Sequence, residues 1–191
     1  MSYISGRNSF EKNKKTIHRI VFFYKKMPRF IRNLVFFIFK GFAGKIGSGV
    51  RYIHWVSELN NLGDSAYFSN YLIIKHPKKI NIGNNFSIHE FSYLDGAGNI
   101  KIGDNVSIAH NCSLISFEHT WGDSDSPIKY CPSVYREISI GDDVWIGCGT
   151  RILAGAVIPS RVVIAAGSVV KGVLEPNSIY AGVPAKKIKS I

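Results

Sequence analysis

The chain has 191 residues, 46% of them hydrophobic and 19% charged, with 24 Lys and Arg against 13 Asp and Glu. That length allows one ordinary domain with an appendage, and that composition excludes a chain disordered throughout. Eleven of the basic residues and one acid, Glu11, fall in residues 1–45, so this arm carries +10 while residues 46–191 carry +1. A near-neutral body with no basic stripe speaks against nucleic acid as a partner.

Residues 1–7 do not open a secretory signal with a small-residue cleavage site, which argues against export. The longest unbroken apolar run, Leu34 to Phe39, is six residues long and too short to span a bilayer. Three scattered cysteines, Cys112, Cys131 and Cys148, form no CxxC pair and suit a reducing compartment, so a cytoplasmic location is expected. Residues 16–44 read as helix. Phe30, Leu34, Ile38 and Phe42 recur four apart, Ile31 and Val35 lie beside them, and basic residues lie between. Pro28 divides this stretch into two helices. Two roles are open to the arm: a helical cap on the end of a repeat array, or an interfacial helix drawn to the anionic inner face of a membrane.

From Leu62 an aliphatic or aromatic residue returns every six positions. The series runs Leu62, Phe68, Ile74; Ile82, Ile88, Leu94; Ile102, Ile108, Leu114; and, after a break, Ile140, Ile146, Ile152, Ile158, Ile164 and Val170. Gly follows at positions 63, 83, 103, 141 and 147, often with Asn or Asp next, as in LGDS, IGNN, IGDN and IGDD. Six is neither the helical period nor simple strand alternation. It fits a short strand followed by a tight turn, with Gly, Asn and Asp at the turn because they tolerate positive φ. Three hexads make one triangular coil of a parallel β-helix. The register predicts three stacks: Leu62, Ile82, Ile102, Ile140 and Ile158; Phe68, Ile88, Ile108, Ile146 and Ile164; Ile74, Leu94, Leu114, Ile152 and Val170. A β-sandwich would not keep this register. Two-residue surpluses before Ile82 and Ile102 read as corner insertions, and a twenty-residue excess before Ile140 places an extruded loop at about 117–137. Val50 and Val56 keep step with Leu62, so a partial first coil is expected from near Ile46. The expected organisation is an arm over 1–45, a mainly β solenoid over 46–175, and a tail segment over 176–191.

The hexads, the segment IGDDVWIGCGTRILAGAVI, the run VVIAAGSVVKGV and the ending YAGVPAKKIK resemble the hexapeptide-repeat acyltransferases, in particular the galactoside and maltose O-acetyltransferases and the bacterial polysaccharide O-acetyltransferases. The likeness covers about residues 62–190 and leaves the arm out. It implies a left-handed parallel β-helix, a homotrimer, and acetyl-CoA as donor, threaded between neighbouring subunits. The hand is an implication of the resemblance alone, because parallel crossovers are normally right-handed.

Acetyl transfer to a hydroxyl needs a base, and His is suited to it by its pKa. Of the six His, His119 follows the hexad of Leu114 and opens the long loop, where the family's catalytic His also stands. A loop leaving a rigid scaffold is a usual place for function. Glu118, Asp95 and Asp123 are candidates to orient its ring. Trp145 matches the family's Trp beside that His. Gly147, Cys148, Ala166, Lys171 and Lys186 match its cofactor contacts: the small residues admit close approach, and the lysines, with Lys187, meet phosphates as point charges. The resemblance implies no metal. His76 sits in a corner insertion beside Pro77, Lys78 and Lys79, and His89 stands where some relatives carry an acceptor-contacting Asn. The expected chemistry is direct O-acetylation of a capsule, O-antigen or related saccharide. An amino-sugar nucleotide amine, a simple galactoside or an antibiotic is the alternative acceptor. A Cys148 nucleophile, a zinc carbonic anhydrase (which needs an HxxxxH spacing absent here) and a binding scaffold are the rival classes.

Overall fold

A computed structural model describes residues 6–122 and 127–191. Three helices come first: α1 (Gly6–Lys26), α2 (Arg29–Phe39) and α3 (Gly44–Glu58). The break between α1 and α2 falls at Pro28, which has no N–H to continue a helix and instead precedes the first turn of the next. Helix α3 overturns the expected partial coil from Ile46. Tyr52, Trp55 and Leu59 recur at steps of three and four, and this face is buried over the first coil, with Trp55 6.3 Å from the Phe68 ring. The six-residue step from Val50 to Val56 is therefore a coincidence within a helix, and the coils begin at Asn61.

From Asn61 the chain winds through three walls of very short parallel strands. The first wall stacks Asn61–Leu62, Ile80–Ile82, Ile100–Ile102, Ile138–Ile140 and Val157–Ile158. The second stacks Tyr67–Phe68, Ser87–Ile88, Ser107–Ile108, Val144–Ile146, Val162–Ile164 and Ser178–Ala181, then Lys186–Ser190 antiparallel at its end. The third stacks Ile73–Lys75, Tyr93–Asp95, Ser113–Ile115, Arg151–Ile152 and Val169–Val170. Every predicted stack is present, with pairs such as Leu62 to Ile82, Ile108 to Ile146 and Leu114 to Ile152 in register. The stacked residues fill the interior: Phe68, Ile88, Ile108, Ile146 and Ile164 are all 0% exposed. Burying each such side chain is worth about 1.5–3 kcal/mol.

The turn chemistry follows the hexad. At the first two corners, the residue three places after each stacked residue adopts the left-handed conformation, from Ser65 and Tyr71 through Asn85, Phe91, Asn105 and Asn111 to Asp143, Gly149 and Arg161. The third corner repeats this at Gly155. Stacking binds these turns to one another: the Asn85 amide donates to Asn105 Oδ1 at 3.0 Å, and the Tyr71 and Phe91 rings stack 5.4 Å apart. Gly precedes the turn because the next coil comes too close for a side chain. A Cβ on Gly83 would lie 2.2 Å from Asp104 Oδ1, the atom that accepts the Asn84 N–H at 2.6 Å.

The departures from six-residue spacing all fall at one corner, between the third wall and the first. The first coil carries its surplus at His76–Lys79, the second at Gly96–Asn99, and the third carries the hairpin Phe117–His119 with Ser133–Tyr135. The extra length is therefore piled in three successive coils along one edge of the prism.

Candidate active site

The extruded segment is an antiparallel hairpin in which Phe117 faces Tyr135 and His119 faces Ser133. It is held at its neck by Thr120, which donates from backbone and hydroxyl to the Pro132 carbonyl at 3.1 and 2.8 Å. Arg136 donates its backbone N–H to Ser116 at 3.0 Å and pairs through its guanidinium with Glu118. His119 is exposed, edge-on to Phe117 at 6.3 Å, and its ring makes no hydrogen bond among the described residues. An imidazole free on both nitrogens and presented by a pinned two-stranded neck is available to take a proton from a bound hydroxyl.

The expected orienting acids are differently employed. Glu118 is engaged by Arg136. Asp95 is buried and accepts from the Tyr93 hydroxyl at 3.1 Å and the Ala97 N–H at 3.1 Å, with His76 Nδ1 at 2.7 Å. It orients His76, not His119, because the surplus residues of the first coil bring His76 directly over it. Asp123 lies outside the described residues.

Trp145 stands exposed on the second wall between Ser107 and Val163. It lines an open groove of about 360 Å³ with Arg161, Asp143 and the terminal Ile191. Cys148 and Ala166 stack at the corner between second and third walls, where the Cys148 carbonyl accepts from Gly167 N at 2.8 Å. Gly147 just before them is buried, and a Cβ there would meet Ala166 N at 2.6 Å, so the next coil already requires glycine. The tail crosses beside this corner, with Ala185 N donating to Val169 O at 2.8 Å, and leads into Lys186. Lys187 is tied to Glu175 at 2.6 Å. Lys171 follows the last strand of the third wall, along the edge that carries the His119 hairpin two coils further down. The matched residues thus fall in two sets within one chain. Trp145, Gly147, Cys148, Ala166 and Lys186 belong to the second wall and its far corner, and His119 and Lys171 to the edge beyond the third wall. The expectation that Trp145 lies beside His119 is not met within one chain, because the two leave the prism from different walls.

His89 is exposed 5.8 Å from the Tyr67 ring on the second wall. Cys112, by contrast, is fully buried, and burial pushes its thiol above the usual range. Among the described residues no group of three or more His, Cys, Asp or Glu is placed to hold a metal ion. Sequence reasoning missed the role of the insertions, whose shared corner brings Lys75, His76, Lys79 and Asp95 under Phe117 and Tyr135 around a cavity of about 640 Å³. The signal was present: all three surpluses follow a residue of the same stack.

Residues 137–172 match the family model described as bacterial transferase hexapeptide (six repeats). A galactoside O-acetyltransferase of Escherichia coli is 32% identical over 68% of this chain and 63% of its own length. A candidate acetyltransferase of Dictyostelium discoideum is 32% identical over 68% of this chain and 67% of its own length. Among solved structures, a galactoside acetyltransferase in complex with coenzyme A superposes with a TM-score of 0.74 at 26% identity, covering 85% of this chain and 80% of that one. For the first curated relatives the chain spans less than two thirds of their length, from 32% to 63%.

Proposed function

The chain belongs to the hexapeptide-repeat acyltransferase family, and from that premise we propose that it transfers an acetyl group from acetyl-CoA to a saccharide hydroxyl, as in a capsule, O-antigen or related glycan unit. The observation that carries this reading is His119, an exposed imidazole on a pinned hairpin with both ring nitrogens unengaged among the described residues. In this mechanism His119 takes the hydroxyl proton as the oxygen attacks the thioester carbonyl. Backbone N–H groups at a coil turn hold the oxyanion. The intermediate then collapses, the carbon–sulfur bond breaks, and the imidazolium returns its proton to the leaving thiolate of CoA.

The working unit in this reading is a homotrimer. His119 and Lys171 stand at one edge of the prism, and Trp145, Cys148 and Ala166 on another wall and corner, so a seam between two copies is the arrangement that would unite them. Pantetheine would run along that seam beside Ala166, and Lys171 and Lys186 would meet its phosphates.

The arm is assigned two roles. Helix α3 and the inner face of α1 cap the coils through Tyr52, Trp55 and Val21. Helix α2 buries no residue and exposes Phe30, Leu34, Phe37 and Ile38, within an arm whose residues 1–45 carry +10. We assign that face to the anionic cytoplasmic surface of a membrane. No helix among the described residues is long and apolar enough to cross one.

The decisive assay is acetyl-CoA turnover over a panel of saccharides, comparing wild type with His119→Ala. A fall of about 10²–10⁴-fold is expected for loss of a positioned base. Equal turnover in the variant would remove His119 from that role.

A further inference from the structure

The corner that collects every insertion builds a basic hollow beside His119, and no part of the acetyl-transfer chemistry uses it. Its floor is the His76–Asp95 pair, and its walls include Lys75 and Lys79 on one side and Phe117 and Tyr135 of the hairpin on the other. Phe117 touches the His119 ring edge at 6.3 Å and Tyr135 at 6.2 Å, so the hollow opens next to the proposed base. A second hollow of about 330 Å³ shares His76 and Lys79 and continues past Lys78 to Arg29 and Arg32 at the start of α2. Together the two hold five Lys and Arg against two carboxylates, Asp95 and Glu58. Both carboxylates are buried and engaged: Asp95 with His76, Tyr93 and Ala97, and Glu58 with Arg32 at 3.1 Å and Arg29 at 3.7 Å. The excess charge is therefore positive and exposed on Lys75, Lys78 and Lys79, with Lys79 Nζ donating one hydrogen bond to the Ala97 carbonyl at 2.8 Å and Lys78 Nζ one to the Ser57 carbonyl at 3.1 Å.

The backbone here is also held in a costly form. His76 has φ 52° and ψ 48° although Pro follows it, and a residue before Pro is normally pushed to extended geometry. Among the described residues with positive φ it is the one followed by Pro. Its bond to buried Asp95 holds it there with Nδ1 turned inward, and its other nitrogen makes no hydrogen bond among the described residues. Strain of this kind persists where surrounding contacts over-determine it, and it clusters at ligand sites.

We propose that this corner binds the diphosphate of a diphosphate-linked saccharide. Lys75, His76 and Lys79 take the phosphates, and the Phe117 and Tyr135 rings lie against the sugar so that its hydroxyl reaches His119. The assignment of the sugar as acetyl acceptor rests on the reading above. The diphosphate site itself does not. The same chemistry is offered by a nucleoside diphosphate sugar and by a lipid-linked one, and the continuation of the hollow to the foot of the exposed helix α2 suits either.

Inorganic pyrophosphate, titrated calorimetrically into the full chain, is the first probe. It should bind, compete with the saccharide acceptor and not with acetyl-CoA, and bind at least tenfold more weakly to Lys75→Gln/Lys79→Gln. The Lys75→Arg/Lys79→Arg variant should restore binding, which a merely misfolded glutamine variant could not explain. The preference for diphosphate-linked over uncharged acceptors should fall at least tenfold in the glutamine variant. Which acceptor shows that fall, a nucleoside diphosphate sugar in solution or a prenyl diphosphate sugar in vesicles, identifies the source. Absence of pyrophosphate binding, or binding that competes with acetyl-CoA and ignores the glutamine variant, overturns the site. His119-dependent acetylation of uncharged sugars alongside that result would leave the transferase reading standing. Pyrophosphate binding at this corner without any acetyl transfer would do the reverse.

Discussion

Arg51, buried on α3, donates from Nε to the Phe68 carbonyl of the first coil at 2.7 Å. Its Nη1 donates to the carbonyls of Lys40 and Phe42 at 3.0 and 2.8 Å, so one guanidinium fastens the end of α2, the start of α3 and the solenoid to one another. Removing it leaves buried carbonyls unpaired, each costing about 1–3 kcal/mol. Arg51→Met should destabilise the arm by about 3 kcal/mol while the coils above the second stay folded. Hydrogen exchange should show protection lost in α2 and α3 and retained in the strands around Ile146.

A pH-dependent weakness is built into the same cap. His54 is buried, stacked on Phe36 at 3.8 Å and 3.2 Å from the Tyr24 hydroxyl, and burial pushes its imidazole down to about 4. The unfolded chain, with an ordinary His near 6.5, binds the extra proton first. Stability from this group is therefore complete above pH 6.5 and is lost as pH falls from 6.5 toward 4, by about 3 kcal/mol. Melting temperature measured from pH 7 to pH 4 should decline, and His54→Gln should flatten the part of the decline between 6.5 and 4.

Two glycines one rung apart should fail for different reasons. A Cβ on Gly147 meets backbone of the next coil at 2.6 Å, which cannot yield without parting the coils. Gly147→Ala should cost about 2–3 kcal/mol as overpacking. Gly167 has φ +70° and open space around it, so Gly167→Ala should cost only the left-handed strain, about 1–2 kcal/mol. Denaturant unfolding of the two variants separates these terms.

The outward face of α2 carries a prediction about membranes. Phe30→Ser, Leu34→Ser and Phe37→Ser together touch no buried residue of that helix, so thermal stability should move by little. Co-sedimentation with anionic vesicles should fall at least tenfold, and wild-type binding should weaken as salt is raised. Equal sedimentation of the triple variant would return α2 to a purely structural part of the cap.

Much of this was legible before any coordinates. Leu62, Phe68 and Ile74 announce three walls because each wall of a prism returns an inward residue to the same place every coil, joined by a second inward residue two places earlier at positions such as Ile80, Phe86 and Ile100. The stacks continue faithfully to Val170 for that reason. The start of the coils was misread because a six-residue step between Val50 and Val56 fits a helix as readily as a hexad, and only the burial of Tyr52, Trp55 and Leu59 separates them. His119 was marked by its place at the loop, but its neighbours were not: Glu118, Asp95 and Asp123 stood as equal candidates to orient it, and in the structure Arg136 engages Glu118 while Asp95 serves His76.

The amino-acid order alone determined the period, the inward residues, the turn chemistry and the place of the extruded hairpin, because each of these is a local rule repeated along the chain. Tertiary structure alone decided that insertions twenty and more residues apart pile onto one edge, that His76 closes over Asp95, and that Trp145 and His119 leave the prism from different walls. Those outcomes depend on winding, which turns separations along the chain into vertical neighbours, and no single stretch of sequence contains that geometry.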